Sequence, residues 1–198
     1  MNRKWLIPGI ILGALLLLFA IIAGGYNGLV NQREQVKSTF ANVQTQYQRR
    51  ADLVPNLVST VKGAADFEQE TLTQVTEARA KATSITIDPS KATPEQLAEY
   101  QQSQGELSQA LGRLLAVAEA YPQLQATAAF RDLQVQLEGT ENRIAVARKD
   151  FNDVARGYNA RVQTFPTNIT AGLFGFDAFS YFEADQGANR APTVDFEE

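Results

Sequence analysis

Two kinds of apolar pattern divide the chain. From Trp5 to Gln32 no residue is charged, Lys4 and Arg33 bracket the run, and Leu6 to Ala23 is an almost unbroken apolar stretch of 18 residues. At about 1.5 Å of rise per residue, the 21 residues from Trp5 to Gly25 make a helix long enough for the ~30 Å hydrocarbon core of a bilayer. Trp5 and Tyr26 stand at its two ends, where amphipathic rings favour the interface. Pro8 falls in the first turns, where a missing N–H costs little. A cleaved signal peptide is the competing reading, with Ala23-Gly24-Gly25 as its small-residue site. The run is longer than the roughly 7–15-residue apolar region of such a leader, so a retained anchor over residues 1–27 is expected.

After the anchor the apolar residues fall into heptads. Val36, Val43, Leu57 and Ala64 form one seam, broken by Arg50, and Phe40, Tyr47, Val54 and Val61 form its partner. Beyond Pro94 the seams are Leu97, Gln104, Leu111, Ala118 and Tyr100, Leu107, Leu114, Tyr121. The last stretch runs Phe130, Leu137, Ile144, Phe151, Tyr158, Phe165 against Leu133, Thr140, Ala147, Val154, Arg161. Alternating three-and-four spacing sustained this long predicts coiled-coil-like helices rather than strands.

The punctuation agrees. Thr93-Pro94-Glu95-Gln96 has the form of a capping box with proline at the first helical position. Asp66-Phe67-Glu68-Gln69 opens a shorter helix, Asp88-Pro89-Ser90 marks a turn, and Pro122 either starts or kinks the last helix. The predicted elements are helices over 28–64, 67–83, 94–121 and 123–165, followed by a tail over 166–198. Short connections make consecutive helices antiparallel. The expected fold is therefore all-α: an N-terminal transmembrane helix and an antiparallel up-down bundle over 28–165, of four helices or of three with an extra turn.

Charged and polar residues on or beside the seams are read first as structural. Arg50 and Thr140 interrupt apolar positions, and a polar interruption costs stability while fixing register. If Val36 lies level with Phe165, position 50 falls near position 151, so Arg50 and Asp52 are expected to meet the stretch from Glu141 to Arg148. Arg50, Asp52, Asn56, Glu141, Asn142 and Arg148 are the candidates for a polar layer. Pro55 takes the helix hydrogen bond from the carbonyl of Ala51, and Asn56 or Thr60 is expected to serve the freed backbone group.

Composition then removes most chemistry. The 198 residues include no His and no Cys, so a Ser-His-Asp triad, a cysteine nucleophile and the usual zinc or haem ligation are excluded. A di-metal bundle site wants Glu-x-x-His, which is absent. Gly24-Gly25 lacks the Lys-Ser/Thr of a phosphate-binding loop, and Asn168-Ile169-Thr170 is only a weak glycosylation signal. With 18 Lys+Arg against 22 Asp+Glu, nothing in the charge suggests nucleic acid. No metal, cofactor or catalytic residue is expected. A paired-carboxylate hydrolase is the alternative from another class, and a deep cleft with two converging acids would favour it.

Several ordered motifs carry a family resemblance. They are Tyr26-Asn27-x-Leu29-Val30, Arg49-Arg50-Ala51-Asp52-Leu53-Val54-Pro55-Asn56-Leu57-Val58, Phe67-Glu68 ahead of Ala78-Arg79, and Ala120-Tyr121-Pro122-x-Leu124. Thr140-Glu141-Asn142-Arg143-Ile144-x-x-Ala147-Arg148, Tyr158-Asn159 and Phe165-Pro166-x-Asn168 complete them. Together they resemble the LemA family over residues 26 to about 182. The resemblance implies an N-terminal membrane segment carrying a four-helix bundle in a bacterial membrane, no established enzymatic activity, and a paralogous branch associated with magnetosome formation. Relatives with a lipobox Cys before Tyr-Asn differ here, where Gly24-Gly25 stand instead.

The functional expectation is a membrane-anchored scaffold or protein-interaction module, with a membrane-shaping assembly as a further alternative. Its partners are membrane lipid through the N-terminal helix and, through the tail, a second copy. Arg3 and Lys4 crowd the N-terminal flank, so the positive-inside bias places the body outside the cytoplasm. The tail holds Phe174, Phe176, Phe179, Tyr181, Phe182 and Phe196, and Leu173, Phe176, Phe179 and Phe182 recur every three residues like one face of a short helix. Six acids (Asp177, Glu183, Asp185, Asp195, Glu197, Glu198) against Arg190 disfavour an anionic lipid surface. The tail is thus expected to dock on protein, either its own bundle or a neighbouring protomer in a homo-oligomer.

Overall fold

Nothing between the apolar run and the first heptads breaks backbone hydrogen bonding, and the two predicted segments form one helix. A computed structural model describes residues 6–63 and 68–183. Within them the elements are α1 (Leu6–Lys62), α2 (Gln69–Ser84), α3 (Pro94–Ala118), α4 (Pro122–Gln125), α5 (Ala128–Gln163) and α6 (Thr167–Phe174), with no strand among the described residues. α1 is 57 residues long and passes through Gly24-Gly25 and Pro55 without ending. Ala64 and Asp66 lie outside the described residues.

Local signals set most boundaries. Thr93 Oγ1 accepts from Gln96 N–H while Gln96 Oε1 accepts from Thr93 N–H, so the capping box at α3 forms as expected. Pro122 opens the single turn of α4, and Thr127 Oγ1 then caps α5 at Phe130 N–H. α5 stops at Gln163, two residues short of expectation. Phe165 therefore leaves the seam and is 75% exposed, which corrects its reading as core.

α1 packs on α5 and α2 on α3, and α1 also touches α2, while α6 lies against α1 and α5. The core divides in two along the long axis. A distal cluster joins Leu53–Val61 of α1, Leu72–Ala82 of α2, Leu107–Ala118 of α3 and Phe130–Leu137 of α5. A proximal cluster joins Leu29–Tyr47 of α1, Leu97 and Tyr100 of α3 and Ile144–Tyr158 of α5. There the place of α2 is taken by Ala171, Phe176, Phe179 and Phe182.

The register of α1 against α5 differs from the predicted one. Phe40 meets Phe151 edge-on, with ring centroids 5.4 Å apart, and Arg50 is level with Glu141 instead of position 151. In this register the end of α5 comes level with the Gly28 turn of α1, where the Arg161 guanidinium lies. The slip shortens the part of α1 that runs past α5, yet what remains is still long. Residues 7–20 are exposed throughout and apolar at almost every position.

Candidate functional site

The two apolar clusters are separated by a polar layer, and Arg50 is its centre. Its side chain is only 1% exposed. Nη1 donates to Glu141 Oε1 at 2.9 Å and Oε2 at 3.3 Å, and to Ser108 Oγ. Nη2 donates to the Gln104 carbonyl at 3.0 Å and to Gln104 Oε1 at 2.7 Å. Ser108 Oγ also reaches Glu141 Oε1 at 3.2 Å, and Gln104 Nε2 donates to the carbonyl of Ala82 at the end of α2. The guanidinium carbon lies 5.3 Å from the centre of the Tyr47 ring. One arginine thus ties α1 to α3 and α5 directly and to α2 through Gln104.

Burial of a guanidinium is tolerable only when its donors are matched. The planar fork suits this site because it can serve two partners on each terminal nitrogen. Nε is buried with no acceptor among the described residues. Beside the layer, burial drives the phenol of Tyr100 to ionise well above its ordinary range; Tyr47 adds to the effect and Arg50 opposes it.

A second satisfaction of backbone chemistry sits one turn away. Pro55 leaves the carbonyl of Ala51 without its helical donor. Arg79 Nε of α2 fills the place at 2.8 Å. Neither Asn56 nor Thr60 does so: Asn56 is exposed, and Thr60 Oγ1 donates to the Asn56 carbonyl. The freed carbonyl has become an interhelical contact.

Other members of the expected layer lie elsewhere. Asp52 is exposed and accepts from Gln48 Nε2 on its own helix. Asn142 is on the outer face of α5, lining a groove of about 320 Å³ with Thr39, Asn42, Gln46, Arg143, Val146, Ala147 and Asp150. Arg148 reaches the tail, donating to the Glu183 carbonyl at 2.7 Å, with its guanidinium 5.4 Å from the Phe182 ring. The slipped register explains Arg148, which falls level with position 43, whereas Asp52 and Asn142 stand near the level of Arg50 but on outward faces of their helices. Thr140 is fully buried and returns its hydroxyl to the Gln136 carbonyl, so it needs no partner across the core.

The tail is held by amide side chains. Asn159 Nδ2 donates to the Phe179 carbonyl, and Phe179 N–H donates to Asn159 Oδ1, both at 2.8 Å. Asn152, one heptad earlier, does the same for Phe182 at 2.8 and 3.0 Å. Gln101 of α3 treats Glu183 alike at 2.9 and 3.1 Å. Each amide pairs one N–H and its oxygen with the tail backbone, as a neighbouring strand would, and Asn159 Nδ2 also donates to the Tyr181 hydroxyl at 2.9 Å. Phe176, Phe179 and Phe182 are buried, but Leu173 is exposed. The expected single helical face is therefore wrong. α6 ends at Phe174, Gly175 takes a left-handed conformation with φ of 68°, and the later aromatics lie on irregular chain.

Chemically this layout binds and orients helices. Glu141 is matched by Arg50 and Ser108, and Asp150 is the sole carboxylate among the described residues lining the large groove. A smaller groove of about 140 Å³, lined in part by Tyr47, Tyr100, Ala82 and Gln104, has none. Sequence reading missed Gln104, although it occupies a seam position where an apolar residue is expected. Ser108, Arg79, Asn152 and Asn159 left no periodic signal of their own.

An all-helical bundle on a long apolar N-terminal helix is the class defined by these features. The chain matches the LemA family over residues 39–196 and belongs to it. It is 27% identical over 190 aligned residues to magnetosome protein MamQ 2 of Paramagnetospirillum magneticum, covering 85% of this chain and 68% of that protein. It is 23% identical over 170 residues to Protein LemA of Metamycoplasma hominis, covering 86% and 74%. MamQ of Magnetospirillum gryphiswaldense is 26% identical over 190 residues, covering 85% and 68%.

Proposed function

We propose that this chain is a non-catalytic interaction scaffold held on a bacterial membrane by a single span, with its bundle outside the cytoplasm. The observation that supports it most is α1, whose near end is apolar and exposed while its far end is the central strut of the core. Among the described residues it is the one helix long and apolar enough to cross a membrane. A bundle built on its own anchor presents its surfaces at a set height above the bilayer, which suits a scaffold better than a diffusing domain.

The names of the relatives support a membrane setting, and the matched carboxylate of Glu141 suits structure rather than acid–base chemistry. A second copy is kept among the proposed partners, although the buried tail aromatics already have a site on their own chain. The test is fractionation followed by crosslinking in native membranes. The full chain should stay with membranes through alkaline carbonate, be digested by protease added to spheroplasts, and form discrete crosslinked adducts. Release by carbonate would overturn the anchor, protection until lysis would reverse the orientation, and absence of any adduct would remove the scaffold role.

A further inference from the structure

α6 carries an apolar face that the chain leaves uncovered. Thr170 and Ala171 are buried, yet Ile169, Leu173 and Phe174 are each more than half exposed, and Phe165 just ahead of the helix is more exposed still. From Val162 to Phe176 no residue is charged, which parallels the charge-free run from Trp5 to Gln32.

The two charge-free stretches meet. A Cβ on Gly25 would lie 3.0 Å from Thr170 Oγ1, so the glycine admits the close approach of α6. The rings of Tyr26 and Phe174 sit edge-on with centroids 4.9 Å apart, and Ala171 shares a cluster with Leu29. The 28 uncharged residues from Trp5 to Gln32 span about 42 Å as a helix, which matches a bilayer core of ~30 Å together with its headgroup layers. Gly25 closes the stretch that fits the core alone, so its contact with Thr170 falls at the inner edge of one headgroup layer. Cations begin one step further out: the Arg161 guanidinium lies over Gly28, and Arg33 lies 4.9 Å from the Phe176 ring centre.

We infer that α6 is an interfacial helix: Phe165, Ile169, Leu173 and Phe174 insert at the boundary of headgroups and acyl chains in the leaflet from which α1 emerges. The inference rests on the reading of α1 as a membrane span and adds a second point of attachment. A lone span leaves the body free to tilt; a span plus a docked interfacial helix on the same rigid end fixes its attitude. The absence of Lys and Arg from residues 162–176 makes the attraction one of apolar burial, not of charge to anionic lipid. The acidic residues Asp177 and Glu183, which argued against a lipid contact, lie after this segment.

The test uses the full chain in phosphatidylcholine vesicles, with Trp5→Phe removing the native tryptophan and a single reporter added as Leu173→Trp, Leu16→Trp or Val135→Trp. Val135 is exposed near the far end of α5. The expected result is blue-shifted emission from Leu173→Trp, quenched several-fold more by brominated acyl chains than that of Val135→Trp, and unchanged when anionic lipid is added. Emission and quenching equal to those of Val135→Trp, with Leu16→Trp quenched, would overturn the interfacial role while sparing the anchor. Failure of Leu16→Trp to be quenched would instead remove the anchor and this inference with it. Blue-shifted but unquenched emission that varies with protein density would give the face to a second copy, and a requirement for anionic lipid would refute the apolar mechanism.

Discussion

Arg50 shows how far a single position can be read. Its interruption of a seam marks it as special, and the matching carboxylate is visible in the motif that holds Glu141. What the pattern lacks is level: three-and-four spacing defines which face is inward but not which residue stands opposite which. Contacts between residues distant in sequence, such as Phe40 with Phe151, settle that. If the layer stabilises the fold, Arg50→Ala should cost about 2–4 kcal/mol, because a buried side chain and its hydrogen bonds are lost while Glu141, 42% exposed, can turn to water. Glu141→Gln should cost less, on the order of 1–3 kcal/mol, because Gln104 and Ser108 still accept from the guanidinium. Urea unfolding of the detergent-solubilised chain measures both. A change under about 0.5 kcal/mol in Arg50→Ala, the scatter of ordinary surface substitutions, would show that the layer is not structural.

At the scale of elements, the helices were legible wherever apolar periodicity met a capping signal, as at Thr93-Pro94 and along the core of α5. Irregular segments were not, because their order comes from side chains distant in sequence: Asn152 and Asn159 impose a path on residues 179–182 that has no propensity signature of its own. The Pro55–Arg79 contact is of the same kind. Removing Arg79 leaves the Ala51 carbonyl unsatisfied, so Arg79→Ala should destabilise the fold by about 1–3 kcal/mol. Pro55→Ala restores a local N–H donor for that carbonyl, so the same Arg79→Ala change should cost much less in a Pro55→Ala background. A double-mutant cycle read by denaturant unfolding gives the coupling. Additive effects would mean that Arg79 acts through something other than the freed carbonyl.

For the molecule as a whole, the sequence conveyed an all-helical body on a long apolar N-terminal helix, but neither the division of its core nor the fate of its tail. Phe176, Phe179 and Phe182 complete the proximal cluster where α2 is absent, and each buried ring contributes about 1.5–3 kcal/mol. Truncation after Phe165 should therefore lower the unfolding midpoint sharply while leaving the number of chains per particle unchanged by light scattering. Smaller particles with unchanged folding would show that the tail is exchanged between protomers instead. The central claim is that one unbroken helix both enters the membrane and forms the strut of the core, with no hinge at Gly24-Gly25. The chain has no cysteine, so spin labels at Leu17→Cys and Gln35→Cys report cleanly. These sites are exposed and 18 residues apart, five whole turns on one face, or about 27 Å along a continuous helix. Pulsed electron spin resonance in lipid nanodiscs should give a single narrow distribution near that distance; a broad distribution, or one centred several ångströms shorter, would place a hinge at the glycine pair and contradict a rigid membrane-held scaffold.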